Sequence, residues 1–218
     1  MLDVTFGRNG QKIETLLCLG AHCDDIEIGC GGTILRLVQD QPLVRVYWVV
    51  FSSDPLRAAE ARRSADVFLL HAAGKDVLIK QFRNGYFPSV GAEIKDCFEE
   101  LKATIRPDVI FTHYRNDLHQ DHRIVSELTW NTFRNHLILE YEIPKYEGDL
   151  GTPNLYVPLS EELWRKKIAT LMEAFPSQKD KHWFTPETFA ALMRLRGIES
   201  NSRSGYAEAF YCRKAVLG

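Results

Sequence analysis

Apolar residues come in short bursts separated by amphipathic stretches, and the period of the pattern switches repeatedly along the chain. "IETLLCLGA" (13–21) is nearly unbroken in hydrophobicity and predicts a buried strand. "GGTILRLVQDQ" (31–41) has helical spacing, and "VRVYWVVFSS" (44–53) is the β-branched and aromatic run of a central strand. "DPLRAAEARRSADVFLLHAAG" (54–74) carries the clearest helix signal: Asp54 suits an N-cap, Pro55 the first helical position and Gly74 the end. "DVLIKQF" (76–82) and "DVIFTH" (108–113) read as strands on either side of a helix over "AEIKDCFEELKATI" (92–105). A helix over 119–134 and a strand in "HLILEYEI" (136–143) follow.

Beyond the loop "PKYEGDLGTPN" (144–154), the pattern gives a strand in "LYVPLS" and a helix from Ser160 to Phe175. A further helix is capped by Thr185-Pro186, and a closing strand lies in "AEAFYCRKAVL" (207–217). Strands alternating with helices predict an α/β fold, with a mostly parallel sheet covered on both faces. No repeat, low-complexity tract or linker interrupts the chain, so residues 1–218 are expected to form one domain.

Composition narrows the function classes. The 218 residues are 45% hydrophobic and 26% charged, with a net charge of −2, which gives no reason to expect nucleic acid or an anionic membrane as partner. No apolar run approaches the roughly 20 residues of a membrane helix. The opening "MLDVTFGRNGQKIETLL" lacks the pattern of a secretory leader. Five cysteines without a CxxC pair point to free thiols in a reducing compartment, with the cytoplasm as the default.

Two polar clusters follow predicted strands: His22-Cys23-Asp24-Asp25 after the first, and "HYRNDLHQDHR" (113–123) after the fourth. In a parallel sheet both fall at the carboxyl edge, where ligands bind. His22 and Asp25 are three apart, as are His119 and His122 at a presumed helix start. Two histidines and a carboxylate, with one position left for water, make a common catalytic zinc arrangement, so His22, Asp25 and His122 are the candidate ligands. Asp24 is the candidate base for a metal-activated water. His119 could donate a proton or steady an oxyanion, and Asp121 could hold an imidazole in one tautomer. The ion is expected to be Zn²⁺, with another divalent metal such as Fe²⁺ as the alternative.

Other chemistries claim parts of the same letters. "EIGCGGT" imitates a nucleotide loop, but "HCDDIE" separates it from its strand and Ile34 stands where G-x-G-x-x-G needs its last glycine. The glycines more simply allow tight entry of the first helix and close packing on the sheet. His22-x-Asp24 with His122 also matches a non-haem iron oxygenase triad, whose usual antiparallel barrel does not suit this alternating chain. Cys23 and Cys30 could pair or ligate, although small buried thiols are expected once a full His/Asp/His set is present. His113 is either a pocket residue or strand-end packing.

At these residues the sequence resembles the LmbE/PIG-L family of zinc-dependent deacetylases. The likeness rests on "AHCDDIEIGCGGT" and "HQDHR", extended by "FTHYRNDLHQDHR", "PSQ" and "RLRGIESNSRSGYAEAF", and so spans most of the chain. The resemblance implies a Rossmann-like three-layer sandwich with the metal site at the ends of the first and fourth strands. It also implies His22, Asp25 and His122 as ligands, Asp24 as base and His119 as the assisting histidine. Arg57 and Glu60 match an Arg-x-x-Glu motif near substrate, and Asp117, part of the extended motif, is an expected substrate contact. The implied substrate is an N-acetylated amino sugar or glycoconjugate. Arg83, Asn84, Arg115 and Arg123, on or near the strand-end loops, complete the expected substrate contacts, and a homo-oligomer is expected. Cys23 replaces the motif's proline, and Asn84 stands where many relatives carry an acid. The competing function is a metal-containing domain that binds a sugar, or joins an assembly, without hydrolysis. Asp24 and His119 together argue against it.

Overall fold

The computed structural model describes residues 13–216; the sequence-based expectations for the start of the chain and for Leu217 fall outside that range. The elements run β1 (Thr15–Gly20), α1 (Asp25–Asp40), β2 (Arg45–Val50), α2 (Pro55–Phe68), β3 (Gly74–Ile79), α3 (Gly91–Thr104), β4 (Val109–His113) and α4 (Gln120–Thr132). They continue through β5 (Leu137–Tyr141), β6 (Leu155–Pro158), α5 (Glu161–Ala174), α6 (Pro186–Glu199) and β7 (Ala207–Cys212). The sheet order is β3-β2-β1-β4-β5-β7-β6. The first five strands are parallel, while β7 pairs antiparallel with both β5 and β6. Strand order reverses between β1 and β4, which creates the crevice where ligands bind in open α/β sheets.

Both faces of β1 are dry, as its apolar run requires. Leu16 and Cys18 face a core shared with α1, α2, α5 and α6; Leu17 and Leu19 face a second core formed with α3 and α4. This is the expected three-layer α/β sandwich. Among the described residues, no helix is long and apolar enough to cross a membrane.

Two elements depart from expectation. Gly74 opens β3 instead of ending the preceding helix, which stops at Phe68. α1 starts at Asp25, not at residue 31, so Gly29, Gly31 and Gly32 lie inside it. Glycine costs about 1 kcal/mol relative to Ala in a helix interior. Close packing explains why it is kept here. A Cβ at Gly29 would enter the Tyr141 ring, one at Gly31 would lie 2.7 Å from Phe68, and one at Gly32 would strike Leu159.

The bare backbone also admits a charge. Glu208 of β7 accepts the N–H groups of Gly32 and Thr33 at 2.8 and 2.6 Å. Lys167 of α5 bonds Glu208 and the Ile28 carbonyl, each at 2.6 Å. A buried ion pair therefore grips α1 in mid-helix, and the glycines serve as packing surface.

Gly29→Ala is expected to lower stability by about 1–3 kcal/mol, because the added methyl overpacks the contact with Tyr141. Gly91→Ala meets nothing within 4 Å and is expected to be neutral or stabilising. Urea unfolding of both variants checks this, and equal effects would refute the packing account.

Candidate metal and catalytic site

The turn after β1 is built to present side chains. A Cβ at Gly20 would lie 3.0 Å from Ile26 and 3.1 Å from the His22 carbonyl, so the chain can turn tightly there only without one. The His22 N–H donates to Asp25 Oδ2 at 2.6 Å, and Asp24 and Asp25 sit at the positive end of α1. From β4, α4 begins after His119, whose Nδ1 accepts the Asp121 N–H at 3.2 Å.

Donor atoms from the two turns converge. His22 Nδ1 lies 3.1 Å from His122 Nε2 and 3.4 Å from Asp25 Oδ2, and His122 Nε2 lies 3.6 Å from Asp25 Oδ1. Tetrahedral zinc with bonds of about 2.0–2.1 Å places its ligand atoms about 3.4 Å apart, so these three form one face of such a site. The opposite edge of each ring is occupied: Asp121 Oδ2 sits 3.2 Å from His22 Nε2, and Asp117 Oδ2 sits 2.9 Å from His122 Nδ1. Carboxylates in those positions leave Nδ1 of His22 and Nε2 of His122 for an ion, the usual support of metal-binding histidines. Two further sets that could hold a metal share His122: His22 with His119, and Asp25 with His113.

Electrostatics favour a cation here. Among the described residues, Asp24, Asp25, Asp117, Asp121 and Asp149 meet two fixed cations, Arg57 on Asp24 and Lys145 between Asp117 and Asp149. Burial opposes charge on His22, but Asp25, Asp121 and Asp24 push its pKa up to about 10. Burial and then His113 push His122 down to about 3. Burial acts against Asp25, yet His122, His113 and His22 hold it well below the usual carboxylate range. His22 Nδ1 and His122 Nε2, 3.1 Å apart, need a proton or another cation between them, because two lone pairs at that distance repel.

Asp24 is 4% exposed and accepts from Arg57 at 2.6 Å through Oδ1. His119 is half-buried, edge-on to His22 with ring centroids 4.9 Å apart. Burial and then the charge of His22 push its pKa down, so the ring is neutral near pH 7. Because Nδ1 accepts a hydrogen bond, the neutral ring carries its proton on Nε2.

Several expected roles change. Arg57 contacts the candidate base instead of standing free for substrate. Glu60 is fully buried and its carboxylate is consumed by the Ser177 N–H and hydroxyl at 3.0 and 2.5 Å; it braces the "PSQ" turn and is not available to substrate. Asp117 is likewise buried, spent on His122, Lys145 and the His119 N–H. Asp121 lies against His22 Nε2 and also accepts the N–H groups of Gly85 and Phe87, tying down the loop of Arg83 and Asn84. Arg83, Asn84, Arg115 and Arg123 are exposed. Cys23 is buried with Sγ 3.4 Å from the Ser52 carbonyl, and burial pushes the thiol up to about 12, which leaves it packing rather than ligating. Sequence reasoning left His113 open; it is fully buried, stacked on His122 at 3.9 Å with Nε2 3.2 Å from Asp25. It missed Lys145, which no local pattern distinguishes from an ordinary loop lysine.

With the geometry in hand, comparisons with known proteins add the following. The family profile described as "PIG-L: GlcNAc-PI de-N-acetylase" matches residues 17–133. The uncharacterized deacetylase YaiS of Escherichia coli (strain K12) is 24% identical over 181 residues, covering 78% of this chain and 96% of that protein. The N,N'-diacetylchitobiose deacetylase of Pyrococcus horikoshii superposes with a TM-score of 0.67 at 21% identity, over 91% of this chain and 83% of that one. The 4-carboxy-2-hydroxymuconate hydratase of Pseudomonas putida KT2440 superposes with a TM-score of 0.73 at 15% identity, over 94% and 98%. The fold thus hosts more than one reaction, so activity has to be argued from the site.

Metal binding should release one proton. His122 and Asp25 are already deprotonated at pH 6, whereas His22 stays protonated up to about pH 10 and must lose its proton to ligate. Affinity for Zn²⁺ is therefore expected to rise about tenfold per pH unit between pH 6 and 8. Calorimetry at pH 6 in buffers of different ionisation enthalpy measures the release, and a value near zero would refute this assignment of the proton.

Proposed function

We propose that this chain, which belongs to the PIG-L family, is a divalent-metal N-deacetylase acting on an amino-sugar-containing small molecule or glycoconjugate. One observation carries the proposal: His22 Nδ1, His122 Nε2 and Asp25 converge at 3.1–3.6 Å, and Asp24, the neighbour of Asp25 in the chain, is held by Arg57. Three protein donors of this kind, with room for one more ligand, suit zinc; iron(II) is the alternative. An ion held there would polarise the amide carbonyl and bring the pKa of a water down towards ~7.

The chain's own residues supply the rest. In hydrolysis water adds to the acyl carbon, the C–N bond breaks, and acetate and the free amine leave. Asp24 Oδ1 is engaged by Arg57, while Oδ2 has no hydrogen-bond partner among the described residues and takes the water proton. The proton is then delivered to the departing nitrogen by Asp24 or His119. His119 Nε2–H donates to the developing oxyanion. Asp117 and Asp121 keep the two ligand rings in place throughout.

Substrate is held at the rim. Arg83 lies over the Tyr86 ring at 3.6 Å, two residues from the Gly85 N–H bound by Asp121. Arg83, Arg115 and Asn84 are exposed and pair with no carboxylate among the described residues, so they can meet hydroxyl, carboxylate or phosphate groups, whereas Arg123 donates to the Asp117 and Leu118 carbonyls and holds that turn. The five free cysteines, three of them buried, suit a cytoplasmic protein, and a homo-oligomer is part of the same proposal.

The test offers Zn²⁺-loaded protein a panel of N-acetylated sugars and conjugates, with acetate and free amine both measured. Asp24→Asn is expected to lower kcat/KM by about 10²–10⁴ with metal content unchanged, whereas His122→Ala loses the metal. No turnover across the panel, or full activity in Asp24→Asn, would overturn hydrolysis and favour a sugar-binding domain.

A further inference from the structure

The loop following β5 reaches into the metal site through a single side chain. Lys145 is buried to 7% exposure and places Nζ 3.0 Å from Asp117 Oδ2 and 2.6 Å from both oxygens of Asp149. That Asp117 oxygen is the one that accepts from His122 Nδ1 at 2.9 Å. Asp149 in turn accepts the Leu118 N–H at 2.6 Å, one residue before His119. The turn that folds Asp149 back onto Lys145 passes through Gly148 at φ +63, a conformation that favours glycine. One continuous series of contacts therefore runs from His122 through Asp117, Lys145 and Asp149 to the backbone beside His119.

We propose that Lys145 is a positioning residue that sets the strength of the metal site, by dividing its charge between Asp117 and Asp149. This rests on the metal reading of His22, Asp25 and His122. The physical basis is competition for one oxygen. Asp117 Oδ2 receives both the Lys145 ammonium and the His122 N–H, and each weakens what the oxygen can give the other. A more negative Asp117 draws harder on the His122 proton, makes Nε2 a stronger donor and adds negative field at the ion. Lys145 holds that effect down, and Asp149 holds Lys145 in check.

Opposite signs follow for the two ends of the relay. Lys145→Met removes the cation while keeping the stem, and is expected to tighten Zn²⁺ binding about 10-fold. Asp149→Asn can still accept the Leu118 N–H but leaves Lys145 to act on Asp117 alone, and is expected to weaken Zn²⁺ binding by about the same factor. Lys145→Arg should stay near the parent value. Competition with a chromogenic chelator on the full chain reads the affinities, and thermal unfolding of the metal-free proteins reports on folding. A purely structural loop would loosen the metal in both variants. That common direction, or no change in either, would overturn the proposal. If Lys145→Met fails to fold, Asp149→Asn binding as tightly as the parent would overturn it alone. Failure of the parent chain to bind Zn²⁺ at all would instead remove the metal reading beneath it.

Discussion

Asp24, Asp25, Asp117 and Asp121 are brought together at one largely dry edge of the sheet, each with 4% or less of its surface exposed. Buried charge is costly unless it is paired and hydrogen-bonded, and the site is organised around meeting that cost. Arg57 answers Asp24, Lys145 answers Asp117, and Asp121 gathers the Gly85 and Phe87 amides together with His22. Asp25 is left facing three imidazoles, those of His22, His113 and His122. The two carboxylates of "HCDD" part in the same way: Asp25 faces the imidazoles, and Asp24 is paired with Arg57.

This arrangement depends on α1 lying close against the sheet. Gly29, Gly31 and Gly32 lower the helix's own stability but let Tyr141, Phe68 and Leu159 pack against its backbone. The Glu208 and Lys167 pair then fixes its middle turn. Tyr141 also reaches the other side of the site, donating to the Leu19 carbonyl at 2.6 Å and lying 3.3 Å from His113 Nε2. The helix that carries Asp25 and the strand that carries His113 are therefore set by one aromatic side chain. A glycine cluster that imitates a cofactor loop in the sequence acts here as a packing face.

The sheet by itself does not choose the reaction. A hydratase superposes on this chain over a larger fraction of its length than does the diacetylchitobiose deacetylase. The distinction lies in a handful of side chains at the β1/β4 switch point and in the groups that orient them.

The one-dimensional pattern determined the alternation of strands and helices, the α/β class and the two polar clusters at strand ends. It could do so because period and residue type are local properties. That His22, Asp25 and His122 could come together was legible for the same reason: a three-residue step at a strand-to-helix turn puts donors on one side, and the fold then sets them 3.1–3.6 Å apart. Lys167 was also in principle legible, since it interrupts the apolar stripe of Leu163, Leu171 and Ala174 on α5. The start of α1 was misplaced because glycine propensity argues against a helix that tertiary contacts then stabilise. Glu60, Arg57 and Asp117 were assigned to substrate because a sequence shows that a charge is present but not which buried partner claims it. Only the folded chain decided that Glu60 meets Ser177, that Arg57 meets Asp24 and that a loop lysine 28 positions beyond Asp117 settles on its carboxylate. Pairing across such separations is set by burial, which forces each charge to find a neighbour in space.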